Sequence, residues 1–111
     1  MRQEDRKAAV RDYKERVAPA GIYVVRCAAS GEAWVGRAKD LDTVPNRLWF
    51  TLRHGGNPHR ALQAAWDAHG EASFTMEPLE RLDDDLSPGT RDLLLRKRLK
   101  YWAEALGAQP I

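Results

Sequence analysis

Gly21-Ile22-Tyr23-Val24-Val25-Arg26-Cys27-Ala28-Ala29 (residues 21–29), followed after Ser30-Gly31 by Glu32-Ala33-Trp34-Val35-Gly36-Arg37 (residues 32–37), decides how this chain folds. The first run is β-branched and aromatic, a composition that suits a strand covered on both faces. Ser30-Gly31 is a turn pair, and residues 32–37 supply the returning strand, so the two runs read as a β-hairpin.

Working outward, Asp5 to Arg16 is charged, with Ala8, Ala9, Tyr13 and Val17 at helical spacing, and predicts a short amphipathic helix ended by Ala18 and Pro19. Beyond the hairpin the period changes. Pro45 suits the first turn of a helix that carries Leu48, Trp49 and Leu52 and stops at Gly55-Gly56. Asn57-Pro58 repeats the device as N-cap and first helical residue, ahead of Leu62, Ala65 and Trp66 on one face and Gly70 as the stop. Phe74 to Leu82 alternates as a third strand, in which Pro78 predicts a sheet edge or a bulge. Ser87 and Pro88 then open a last helix whose Leu95, Leu99, Trp102 and Leu106 fall on one stripe facing the core. The expected architecture is α+β: a three-stranded antiparallel sheet flanked by helices, with residues 1–20 as helix and lead-in and residues 21–111 as one compact domain.

Bulk properties narrow the function classes. The chain has 111 residues, 43% of them hydrophobic, and four tryptophans, enough for one buried core and too apolar for a disordered tail. No run approaches the roughly 18 apolar residues of a membrane span, and the charged N-terminus is not a targeting peptide. Cys27 is the single cysteine, so an intrachain disulfide and a thiolate metal cluster are excluded, in keeping with a reducing cytoplasm. A formal charge of +2 permits nucleic-acid binding without requiring it. Its distribution is more informative: Arg37, Lys39, Arg47, Arg53 and Arg60 crowd the middle, and Arg96, Lys97, Arg98 and Lys100 form a second cluster. His54, His59 and His69 lack metal-ligand spacing.

Gly21-Ile22-Tyr23 and Trp34-Val35-Gly36, with ten residues between Tyr23 and Trp34, resemble the paired signature of the GIY-YIG nuclease family, with tryptophan in place of the second tyrosine. The resemblance continues through Arg37-Ala38-Lys39-Asp40-Leu41, Asn46-Arg47, the stretch from Asn57 to Phe74 and the last helix with Trp102, and so spans residues 5 to 106. It implies an endonuclease fold in which Tyr23 orients or deprotonates water and Arg47 offers a planar fork to phosphate. It also implies DNA contacts from Arg37, Lys39, Arg53, Asn57 and Arg60. Two positions depart from the pattern. Indole at Trp34 donates one hydrogen bond and cannot act as a base. The family's metal-binding glutamate, one turn before the helix aromatic, corresponds to Leu99, which has no oxygen for a hard cation such as Mg²⁺.

The expected function is therefore a GIY-YIG-fold protein that cuts poorly or not at all, holds no cofactor, and acts by binding DNA or a DNA-processing protein. An active Mg²⁺-dependent endonuclease with a rearranged metal site, drawing on Asp92, Glu104, Glu77 or Glu80, is one alternative. A regulatory or inhibitory module with a protein partner only is the other.

Overall fold

The computed structural model describes residues 18–111, so the helix predicted within residues 5–16 lies outside the described residues. The hairpin forms as expected: β1 (Gly21–Cys27) and β2 (Ala33–Ala38) pair antiparallel, with Tyr23 opposite Gly36 and Val25 opposite Trp34. Gly31 completes the turn at φ +78°, a backbone angle that side chains resist. Two helices follow, α1 (Val44–Arg53) and α2 (Arg60–His69). A short 3-10 turn (Glu71–Ser73) then leads into β3 (Phe74–Arg81). The long helix α3 (Pro88–Leu106) closes the order, with Ser87 capping it through a bond accepted from the Thr90 amide (3.3 Å) and Gly107 ending it in the left-handed region.

β3 pairs antiparallel with the other side of β1 and forms one sheet edge. Pro78 sits on that edge beside a register shift: Ile22 faces Glu80 while Tyr23 faces Pro78, which leaves Leu79 as the extra residue of a bulge.

Three expectations need correction. The sheet has four strands and is mixed, because Gln109–Pro110 (β4) runs parallel to Trp34–Val35 and the Ile111 amide donates to the Val35 carbonyl (2.8 Å). Two residues with no alternation carry no strand signal of their own; Gly107 turns them back onto β2. Helix α2 begins at Arg60, two residues later than Asn57-Pro58 predicts. The Asn57 side chain is used in the preceding turn, where its Oδ1 accepts from the His59 amide (2.8 Å) and its Nδ2 donates to Thr51 Oγ1 (3.1 Å). Finally, the α3 stripe holds at Leu95 and Leu99 but ends before Leu106, which is 38% exposed at the rim of a cavity that it shares with Cys27, Ala33 and Thr75.

Alternation along β1 and β2 divides the core into two layers. Tyr23, Val25, Cys27, Trp34 and Ala38 pack under α1 and α2 with Leu48, Leu52, Leu62, Trp66 and Phe74. Ile22, Val24 and Val35 point the other way and pack under α3 with Leu82, Leu95, Leu99 and Ala108. No helix among the described residues is long and apolar enough to cross a membrane.

Candidate functional site

Beyond Val35, β2 has no strand on its outer side among the described residues, because β4 pairs only with Trp34 and Val35. Two depressions meet at this open edge. One, about 240 Å³, is lined by Tyr23, Arg37 and four residues of α1: Val44, Arg47, Leu48 and Thr51. The other, about 300 Å³, is lined by Arg37, Lys39 and, from α3, Asp92, Leu95 and Arg96. Arg37 borders both. It is the penultimate residue of β2, on the stretch that β4 does not pair.

Tyr23 reaches the first depression because Gly36 stands opposite it. A methyl group on Gly36 would come within 2.3 Å of the Tyr23 ring and hydroxyl, so the phenol lies across a position that only glycine leaves free. Its ring is buried, yet its hydroxyl makes no hydrogen bond among the described residues and is not sealed in the protein. The oxygen is thus open to the depression. Burial pushes the phenol above its ordinary pKa, and the neighbouring Arg47 guanidinium opposes that shift without cancelling it. Tyr23 is therefore a neutral phenol at physiological pH, suited to donating a hydrogen bond and poorly suited to taking a proton.

The distribution of ion pairs sharpens the picture. Arg26 pairs with Glu77, Arg53 with Glu71 (2.6 Å), Arg81 with Asp84 (3.1 Å), Arg91 with Asp92 (3.2 Å) and Arg98 with Glu80 (2.7 Å). Arg37, Lys39, Arg47 and Arg96 are exposed and have no ion pair among the described residues. All four of these cations line one or both depressions, whereas Arg60, Lys97 and Lys100, which also have no ion pair among the described residues, line neither. Carboxylates are scarce there: Asp92 alone lines either cavity, and it shares its wall with three cations. No group of three or more His, Cys, Asp or Glu side chains stands close enough to hold a metal ion among the described residues.

The site residues read from sequence separate accordingly. Tyr23, Arg37 and Arg47 come together around one cavity, and Lys39 joins through the adjoining one. Arg53 lines neither; its fork is taken by Glu71, through Nε (2.9 Å) and the terminal nitrogen (2.6 Å). Asn57 is knitted into the turn between α1 and α2, and Arg60 is exposed at the start of α2, away from both cavities. Arg96 and Thr51 were not singled out as site residues. The signal for Arg96 was its place beside Leu95 on the α3 stripe, which sets it at the rim of the covered face.

Both departures from the family pattern are core residues. Trp34 is 1% exposed and stacks on Phe74, with ring centroids 6.2 Å apart. Leu99 lies among Ile22, Val24 and Val35, on the opposite side of the sheet from Tyr23. The position that the resemblance matches to a metal-binding glutamate thus belongs to the core layer that does not contain Tyr23. Glu80, a carboxylate held against α3, is itself engaged, accepting from Arg98 Nε (2.7 Å) and Trp102 Nε1 (2.8 Å). Burial alone would raise its pKa, but these two donors and the Arg98 charge together bring it below the ordinary value.

No protein-family model matches the chain, and no curated protein sequence matches it. Among solved structures it is similar to the catalytic domain of homing endonuclease I-TevI, with a TM-score of 0.69 and 24% identity over 83% of this chain and 97% of that one. It is also similar to the catalytic domain of intron endonuclease I-TevI in a glutamate-to-alanine mutant, with a TM-score of 0.68 and 25% identity over 80% and 84% of the two chains.

Proposed function

Starting from a GIY-YIG-type fold, we propose that this protein binds the phosphodiester backbone of DNA at the Tyr23–Arg47 cavity and its Arg37-linked neighbour, and cuts that backbone poorly or not at all. The observation that carries this reading is the convergence of positive charge on these cavities. Four cations without ion pairs among the described residues border two adjoining cavities beside a neutral phenol, where Asp92 is the one carboxylate in the lining. Guanidinium forks and a phenolic donor match the anionic oxygens of a phosphodiester, which accept but never donate. The same unpaired charge favours a polyanion over a protein partner, since leaving cations unneutralised at a protein interface is unfavourable.

Weak cutting is argued from the donor set. A hard divalent cation needs several oxygen ligands, and Asp92 is held by Arg91 among further cations. With that one carboxylate already paired, the two cavities lack a donor set for a hard cation and carry little repulsion toward phosphate, so binding survives where catalysis does not. Tyr23, kept protonated by its burial, holds an oxyanion or a water and does not generate hydroxide at neutral pH.

Fluorescence anisotropy with labelled DNA over a range of salt tests the proposal. Four phosphate contacts give a log–log salt slope of about −3 to −4, and Arg47→Ala reduces its magnitude by about one. Absence of binding at low salt removes the reading. Robust plasmid nicking with Mg²⁺ or Mn²⁺ that is lost in Tyr23→Phe replaces it with an active nuclease.

A further inference from the structure

Helix α1 carries a feature that the phosphate cavities do not use. Phe50 is 61% exposed, the most exposed large apolar side chain among the described residues. It lies one turn from Arg47, about 4.5 Å along the helix axis, and neighbours Thr51, both of which line the Tyr23 cavity. Its ring is held from behind: His54 stands with its ring centroid 4.2 Å away, and His54 Nδ1 donates to the Phe50 carbonyl (2.8 Å). A carbonyl only accepts, so Nδ1 carries the proton and the imidazole is fixed against the phenyl ring. One side of Phe50 is thereby covered and the other faces solvent.

An exposed phenyl one turn from the Arg47 guanidinium, which has no ion pair among the described residues, presents two kinds of surface, one for a charge and one for a π-face. A nucleotide whose phosphate meets Arg47 offers both, provided that its base is not already stacked within a duplex. We propose that Phe50, backed by His54, is a stacking platform for an unstacked base, so that the protein prefers DNA with single-stranded, bulged or flipped nucleotides over a continuous duplex. This inference rests on the phosphate-binding reading of the adjacent cavity and adds the structural class of DNA. Other exposed apolar residues lack this setting; Tyr101, for example, already receives the Arg98 guanidinium on its ring at 4.2 Å.

The experiment compares two labelled DNAs, a continuous duplex and the same duplex interrupted by a short unpaired loop containing 2-aminopurine. The wild-type protein is expected to bind the looped DNA about tenfold more tightly and to change the 2-aminopurine emission on binding. Phe50→Ala is expected to lose that preference and the emission change while keeping duplex affinity and salt slope. Phe50→Trp should retain the preference, and because the side chain is exposed, both variants should keep the wild-type melting temperature. Arg47→Ala should weaken both DNAs alike. Equal binding of the two DNAs by the wild type, or a preference that survives Phe50→Ala, overturns the platform while leaving the phosphate site standing. Failure of either DNA to bind at low salt overturns both.

Discussion

The two faces of β1 and β2 use adjacent residues for opposite ends. Ile22 and Val35 turn toward α3 and disappear into an aliphatic layer closed by Leu95 and Leu99. Tyr23 and Gly36, one position along on each strand, turn toward α1, where the packing is left open enough for a phenolic oxygen to meet a cavity of about 240 Å³. A period of two makes this division possible within one hairpin. The lesson is that the same short motif is half scaffold and half cavity lining, and that substitutions one residue apart should fail in different ways.

The α3 face breaks first. Leu99→Glu places a carboxylate among the aliphatic side chains Ile22, Val24 and Val35, and is expected to lower stability by about 4 kcal/mol or more, unfolding a small domain near physiological temperature. Circular dichroism during urea unfolding measures this. A well-folded Leu99→Glu protein with new Mg²⁺-dependent nicking would show instead that the two faces communicate. On the other side, Gly36→Ala drives a methyl group into the Tyr23 ring and is expected to cost about 1–3 kcal/mol, while displacing the hydroxyl and weakening DNA binding. That variant should lose affinity beyond what its stability loss explains, which Leu99 variants should not.

Glu80 offers a milder test on the α3 face, where it ties β3 to Arg98 and Trp102. Glu80→Gln is expected to cost about 1–2 kcal/mol at neutral pH. Because the folded pKa of Glu80 is lowered, its contribution is present above the unfolded carboxyl value and is lost as pH falls through the folded one. The variant should therefore converge on the wild type in acid, as seen by comparing thermal melts between pH 7 and pH 3. The smallest effect concerns Tyr23. Its folded pKa is raised, so the stability linked to it is intact below the unfolded value of about 10 and declines as pH rises further. Ultraviolet titration should show one tyrosine ionising late, and Tyr23→Phe should remove that component and flatten the alkaline loss of stability. A Tyr23 that titrates normally would mean that the cavity is more open than its geometry implies.

Much of this was legible in the chain itself. Hairpin, helices and third strand followed from period, turn residues and caps, because those signals are local: Ser87-Pro88 starts α3 and Pro78 marks an edge strand wherever they stand. The stripe through Leu95 and Leu99 identified a core-facing surface without any knowledge of what lay beneath it. Tyr23 and Arg47 were singled out by resemblance, and the fold brings both to the lining of one cavity.

Other features were decided by tertiary structure alone. β4 exists because Gly107 reverses the chain beside β2, and neither Gln109 nor Pro110 announces a strand. Arg53 and Arg37 are indistinguishable as residues in a basic stretch, yet one is closed by Glu71, 18 positions away, and the other stands free at a sheet edge. Periodicity could assign Leu99 to a buried face but not to the face opposite Tyr23, because which layer a helix covers depends on how the strands cross beneath it. Sequence by itself thus determined the elements and the chemistry available, through propensities that act over a few residues. The long-range pairing of strands and charges determined which cations remain unpaired and which aromatic stays bare beside them.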